Sequence, residues 1–161
     1  RRVQRQILER GLSGCEYYHL RSHPVEFIYE LRNTYYVIRK ETTLILHITS
    51  KQEWLESQTR GEYLAPSLEI EGFIHCSTEK QVLHVANAFY RGRTDLVLLM
   101  LDEAKLKPEL KWEAPAGPPA PGISESDSFP HVFGPINLTA VASVLRFEPD
   151  SAGTFILPPL A

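Results

Sequence analysis
The sequence predicts an α+β fold: a mixed, mainly antiparallel sheet with short helices, preceded by a helical extension. Three observations carry this. Short runs rich in β-branched and aliphatic residues recur from Thr42 to Glu148, each too brief for a helix. Two stretches in that span open with capping boxes, Ser50 with Glu53 and Thr78 with Gln81. Charge also divides the chain: residues 1–41 carry eight Arg/Lys and five Asp/Glu, a net +3, whereas residues 42–161 carry nine and fifteen, a net −6. The expected organisation is a basic, aromatic extension over 1–41, a main domain over 42–149 and a tail over 150–161.

A chain of 161 residues holds about one domain with some length to spare. Its 43% hydrophobic and 23% charged content is that of a globular protein with a core. The longest apolar run, Leu96 to Leu101, is far short of the roughly 20 residues a membrane-spanning helix needs. Cys15 and Cys76 cannot build a disulfide framework and have no zinc-ligand spacing around them, so a reducing compartment, cytoplasmic or inside an organelle, is the default. An acidic main domain is a poor match to phosphate backbones, which disfavours nucleic acid as a partner. The chain opens Arg1-Arg2-Val3 without a methionine, which fits either a processed precursor or an incomplete amino end.

Taken in order, residues 1–10 read as a basic helix ending at Gly11. Val25 to Lys40 reads as a second helix, with Phe27, Ile28, Leu31, Tyr35 and Ile38 near one stripe, although Tyr35 to Ile38 fits a strand equally well. Six aromatics in this extension are too many to leave solvated, so it either caps the core or docks on a partner protein. Thr42 to Thr49 reads as a strand covered on both faces. Ser50 opens a helix to about Gln58, and Arg60 to Pro66 is a loop leading to the strand Gly72 to Thr78. Glu79 to Tyr90 is a helix, Asp95 to Leu101 the central strand, and Leu110 to Ala114 a short one. Four prolines and two glycines between Pro115 and Gly122 exclude regular structure. Val141 to Glu148 is the last strand.

The stretch around His75 organises the chemistry. Strand alternation puts Phe73, His75 and Ser77 on one face and Ile74 and Cys76 on the other, so a histidine and a hydroxyl emerge together while a Cys/His pair is excluded. Free backbone donors at the start of the following helix form a natural anion seat. His47, inside an apolar strand, reads either as a satisfied core histidine or as a catalyst. His131, between Pro130 and Gly134-Pro135, either faces a cleft or bonds a loop. Glu113, beside Trp112, is a general acid or base, or a solvated edge charge. A three-nitrogen zinc set of His47, His75 and His131 is conceivable, but no close-spaced ligand pair supports it and no metal is expected. His19, His23 and His84 read as surface residues.

The string Glu71-Gly72-Phe73-Ile74-His75-Cys76-Ser77-Thr78, followed by Gln81, Val85-Ala86-Asn87, Trp112-Glu113, Phe129-Pro130-His131 and Gly134-Pro135-Ile136-Asn137-Leu138, resembles the uncharacterised bacterial DUF952 family from about Leu44 to Phe147. The resemblance implies an ADP-ribosyltransferase-like fold, with His47 and His75 across a nicotinamide-dinucleotide cleft. It supplies a fold and not an activity; on that fold the candidate catalytic residues are His47, His75 and His131, and the candidate NAD contacts are Tyr63, Phe73, Ser77, Trp112 and Glu113. Tyr63 would stack on a ring, and Phe73 and Trp112 would wall the cleft. The catalytic His-Tyr-Glu and Arg-Ser-Glu sets of better-known transferases are not reproduced, and Glu113 is the nearest substitute for their glutamate. Two functions follow: a cleft binding NAD or an ADP-ribose relative, catalytic or not, or an inactive accessory subunit attached through residues 1–41. Imidazoles of His47 and His75 on opposite sides of the sheet would count against NAD or ADP-ribose binding in the cleft beside His75.

Overall fold
The computed structural model describes residues 43–160 except 116, 119 and 125, together with the backbone of Glu26–Leu31 and Thr34–Arg39. The chain divides into two compact units, Arg1–Thr42 and Thr43–Ala161. In the first, β1 (Glu26–Leu31) and β2 (Thr34–Arg39) pair antiparallel with Tyr29 opposite Tyr36. The helix expected over Val25 to Lys40 is therefore replaced by a hairpin. Two β-rich runs separated by two residues form a hairpin more readily than one helix, and the helical stripe is an accident of two alternating strands. The helix expected over residues 1–10 lies outside the described residues.

The second unit is built on two three-stranded sheets. One has β6 (Leu96–Asp102) between β3 (Leu44–Ser50) and β10 (Val141–Arg146). The other has β8 (Phe129–Phe133) between β5 (Ile74–His75) and β7 (Glu109–Glu113). A single antiparallel bridge, Leu46 to Ser77, joins them, with both main-chain bonds at 2.8 Å. Every described pairing is antiparallel, so the α+β class stands and its sheet is not mixed. A two-stranded ladder, β4 (Glu62–Tyr63) with β9 (Ile136–Asn137), lies apart from these sheets.

Both capping boxes form. Ser50 and Glu53 close the start of α1 (Lys51–Arg60), and Thr78 and Gln81 that of α3 (Glu79–Phe89). A short helix, α2 (Pro66–Glu71), occupies what reads as loop. Pro66 supplies a preset first turn and Gly72, at φ +85°, an end that other residues rarely adopt. Alternation along β3 and β6 fills two core layers. Ile45, Leu99 and Leu101 pack with Tyr63, Ile74 and Cys76 on one face. Leu46, Ile48, Leu98 and Met100 pack with Val82 and Ala86 of α3 on the other. All seven residues of β6 are buried in consequence, as a strand covered on both faces requires. Among the described residues no helix is long and apolar enough to cross a membrane.

Candidate functional site
The bridge between Leu46 and Ser77 decides which side chains can meet. Paired residues of a ladder share a face and neighbours alternate, so Ser77 and His75 leave on the Leu46 side, towards α3, while His47 leaves with Ile45 and Cys76 on the Tyr63 side. Alternation thus starts the two side chains on opposite sides of the sheet, yet both residues line one cavity at its edge. Register across the bridge, which local sequence does not encode, sets His47 and His75 out of phase along their strands.

His47 is a wall residue with both nitrogens engaged. Nδ1 donates to the main-chain carbonyl of His75 at 2.6 Å, and Nε2 lies 2.7 Å from the Tyr63 hydroxyl. Tyr63 donates to Thr49 Oγ1 at 2.9 Å, and Thr49 donates to Glu53 Oε2 at 2.8 Å. Because the tyrosine proton goes to Thr49 and a carbonyl only accepts, both His47 contacts draw on ring protons, of which a neutral imidazole has one. Burial opposes a second and pushes the His47 pKa down to about 4, against the raising effect of the His75 carbonyl and the Glu53 charge. Burial pushes the Glu53 carboxyl up, but hydrogen bonds from Ser50 and Thr49 outweigh it and hold the group below its ordinary value. Tyr63, the expected stacking platform, is 1% exposed and held at its hydroxyl, and it belongs both to the core and to the wall of the cavity that His47 and His75 line. Burial raises its pKa, as it does that of the Cys76 thiol, which is unsuited to act as a nucleophile.

His131 and His75 do converge. They are register partners on β8 and β5, and their rings meet edge to face at 5.4 Å. Each has a carboxylate: His75 Nε2 lies 3.1 Å from Glu71, and His131 Nδ1 lies 3.0 Å from Glu113. Phe73 stacks on His131 at 4.2 Å and touches His75 at 4.8 Å, so it supports the imidazoles from behind instead of walling a cavity. Trp112 pairs with Pro130, one residue out of phase with His131, and stands on the other face, 45% exposed. Its expected place in the cleft wall is lost for that reason. Glu113, in phase with His131, is the member of the Trp112-Glu113 pair that reaches the site.

Two cavities meet at the sheet junction and share His75, Ser77, Val85 and Tyr90 as a common wall. The first, about 260 Å³, is called the polar lobe for His47, Thr49, Ser50, Glu53 and Arg93, although most of its wall surface is apolar. The second, about 380 Å³, is mainly apolar, with Phe89, Phe129 and Ala120 beside His75 and His131. Neither is lined by the first turn of α3, which is capped by its own Gln81 and carries Glu79, so the expected anion seat at that helix start is not part of the cleft. The cation beside the polar lobe is Arg93, which grips Asp95 at 2.6 and 3.0 Å near the Tyr90 ring. His47 stands across the sheet from the other two histidines, and no group of metal-binding residues exists among the described residues, so the three-nitrogen set is not assembled.

Sequence reading misses Thr49, Glu53, Tyr90, Arg93 and Phe129. Glu53 carries a signal, since a capping box places its carboxylate at a strand end, but the cap alone suffices to explain the residue. Tyr90 ends α3 and Arg93 follows a turn at Gly92, so their direction depends on the third dimension.

Residues 48–144 match the family model described as a protein of unknown function, DUF952. Among solved structures, the crystal structure of protein CC0527 from Caulobacter crescentus is 31% identical, with 71% of this chain and 95% of that chain covered and a TM-score of 0.62. A double mutant of CC0527 gives 30% identity with the same coverage and TM-score. Its solution NMR structure gives 31% identity over 70% of this chain and 90% of that one, with a TM-score of 0.57. No curated protein matches the chain. With its family match spanning more than half its length, the chain belongs to the DUF952 family of proteins of unknown function.

Proposed function
We propose that the domain binds a nucleotide-type small molecule, of the NAD or ADP-ribose kind, across the two-lobed cleft of an ADP-ribosyltransferase-like fold. The observation that carries this reading is the common wall of His75, Ser77, Val85 and Tyr90 between two cavities, one edged by Thr49, Ser50, Glu53 and Arg93 and the other by Phe89 and Phe129. Such a cleft suits a ligand with a hydroxyl-rich half and a flat, apolar half. Arg93 supplies the charge for a phosphate, Tyr90 the ring between the lobes and Ser77 a hydroxyl at the junction. His47 acts through the wall, since neither of its nitrogens is free. At about 100 times its dissociation constant, a ligand should add about 2.7 kcal/mol of stability. Thermal melts with millimolar NAD, NADP or ADP-ribose are expected to rise, and to rise less in Arg93→Ala. No shift with any of the three would overturn the reading.

A second reading, an accessory domain attached to a partner through residues 1–41, is favoured by the division of the chain at Thr42/Thr43 and by a family match that begins only at residue 48. A chain starting at Thr42 is then expected to melt cooperatively near the full-length temperature. A broad, early melt would assign the extension to the fold itself.

A further inference from the structure
We propose that the apolar lobe holds a subsite for a planar ring bearing an O–H or N–H donor, and that Nε2 of His131 is the acceptor that selects it. His131 is 2% exposed, and its Nδ1 faces the Glu113 carboxylate at 3.0 Å. A carboxylate only accepts, so in the neutral imidazole the proton sits on Nδ1 and the lone pair on Nε2. Nε2 makes no hydrogen bond among the described residues, yet it is not one of the orphaned polar atoms sealed from solvent. It therefore opens on the lobe that His131 lines. The ring plane is fixed from two sides, by Phe73 stacked at 26° and by His75 at 86°.

Around this acceptor Phe89, Phe129, Val85 and Ala120 offer a flat apolar group contact area, with the hydroxyls of Ser77 and Tyr90 on the wall shared with the other lobe. A buried acceptor left without a partner is unfavourable, and a ligand without a proton to give would leave it so. Discrimination thus falls on the donor and not on ring size. Glu113 is a positioning residue: it holds the tautomer and touches no ligand. The inference deepens the nucleotide-type reading, in which the ring-bearing half presents the amine or amide of a base to His131.

Phenol and anisole test it, since they share the ring and differ in the proton. With the full chain labelled with ¹⁵N at pH 8, phenol is expected to bind roughly tenfold more tightly than anisole, the factor that 1.4 kcal/mol represents. Phenol should also move the Nε2 resonance of His131, and anisole should not. Glu113→Ala, at a half-exposed position, should replace the single Nδ1–H signature with that of two exchanging tautomers. Equal binding of both probes, or an Nε2 resonance unmoved by phenol, would overturn the subsite. If phenol fails while NAD or ADP-ribose still raises the melting temperature, the subsite falls and the cleft stands. If all of these probes fail, both readings fall together.

Discussion

Acidification from pH 6.5 to pH 4 is expected to remove about 3 kcal/mol of stability through His47 alone. Burial lowers its folded pKa from 6.5 to about 4, and each tenfold loss of proton affinity on folding corresponds to about 1.4 kcal/mol. The unfolded chain takes up a proton near pH 6.5, while the folded chain does not until about pH 4, so folding loses ground throughout that window. Above pH 6.5 both states are neutral at this site and the penalty vanishes. Glu53, whose folded pKa is lowered, acts with the same sign at more acid pH. Urea titrations between pH 7 and pH 4, followed by tryptophan fluorescence, measure the slope. His47→Gln should be less stable than the parent at pH 7, because a buried bond to the His75 carbonyl or to Tyr63 is compromised, yet should lose less between pH 6.5 and 4. Surface carboxylates titrate equally in parent and variant, so the difference isolates His47. Parallel pH curves for the two proteins would refute the assignment. Against a total of about 5–15 kcal/mol, the effect is large enough to decide whether the domain stays folded at pH 4.

What is legible in the sequence is what depends on near neighbours. Thr78-Glu79-Lys80-Gln81 announces a helix start because its two side-chain bonds span three residues, and the box closes as expected. The buried run Leu96 to Leu101 identifies the central strand because covering both faces removes any alternation. Alternation within Gly72 to Thr78 also holds, with Ile74 and Cys76 buried in one core layer. The relation between strands is not legible. One bridge, Leu46 to Ser77, sets His47 out of phase with His75, and a slip of one residue would have put them together. In the same way the pairing of Trp112 with Pro130 gives the site Glu113 and sends the tryptophan to the other face. Pro66 and Gly72 bound a helix too short for periodicity to reveal, and the hairpin β1–β2 is hidden by aromatic residues that satisfy helical and strand patterns alike.

Tyr63 decides whether the polar lobe has a ligand-stacking wall or a structural one, and two substitutions separate these. The ring is almost fully buried, packed 5.0 Å from His47 and tilted by 59°, and its hydroxyl bridges His47 and Thr49. Tyr63→Phe keeps the ring and deletes that bridge. It leaves His47 Nε2 and Thr49 without their shared partner, at an expected cost of about 1–3 kcal/mol. Tyr63→Ala removes the ring as well, and the cavity left beside Ile45 and Ile74 should raise the cost to about 3–5 kcal/mol. A stacking residue behaves in the opposite way, since its hydroxyl is dispensable and its ring contributes to binding more than to folding. Denaturant midpoints of both variants, with melts in the presence and absence of ADP-ribose, supply the comparison. Stability within about 0.5 kcal/mol of the parent in Tyr63→Phe, together with a lost ligand response in Tyr63→Ala, would return Tyr63 to the cleft. The expected result is a graded loss of stability, with the ADP-ribose shift of Tyr63→Phe kept, because its hydroxyl holds the wall and its ring fills the core behind it.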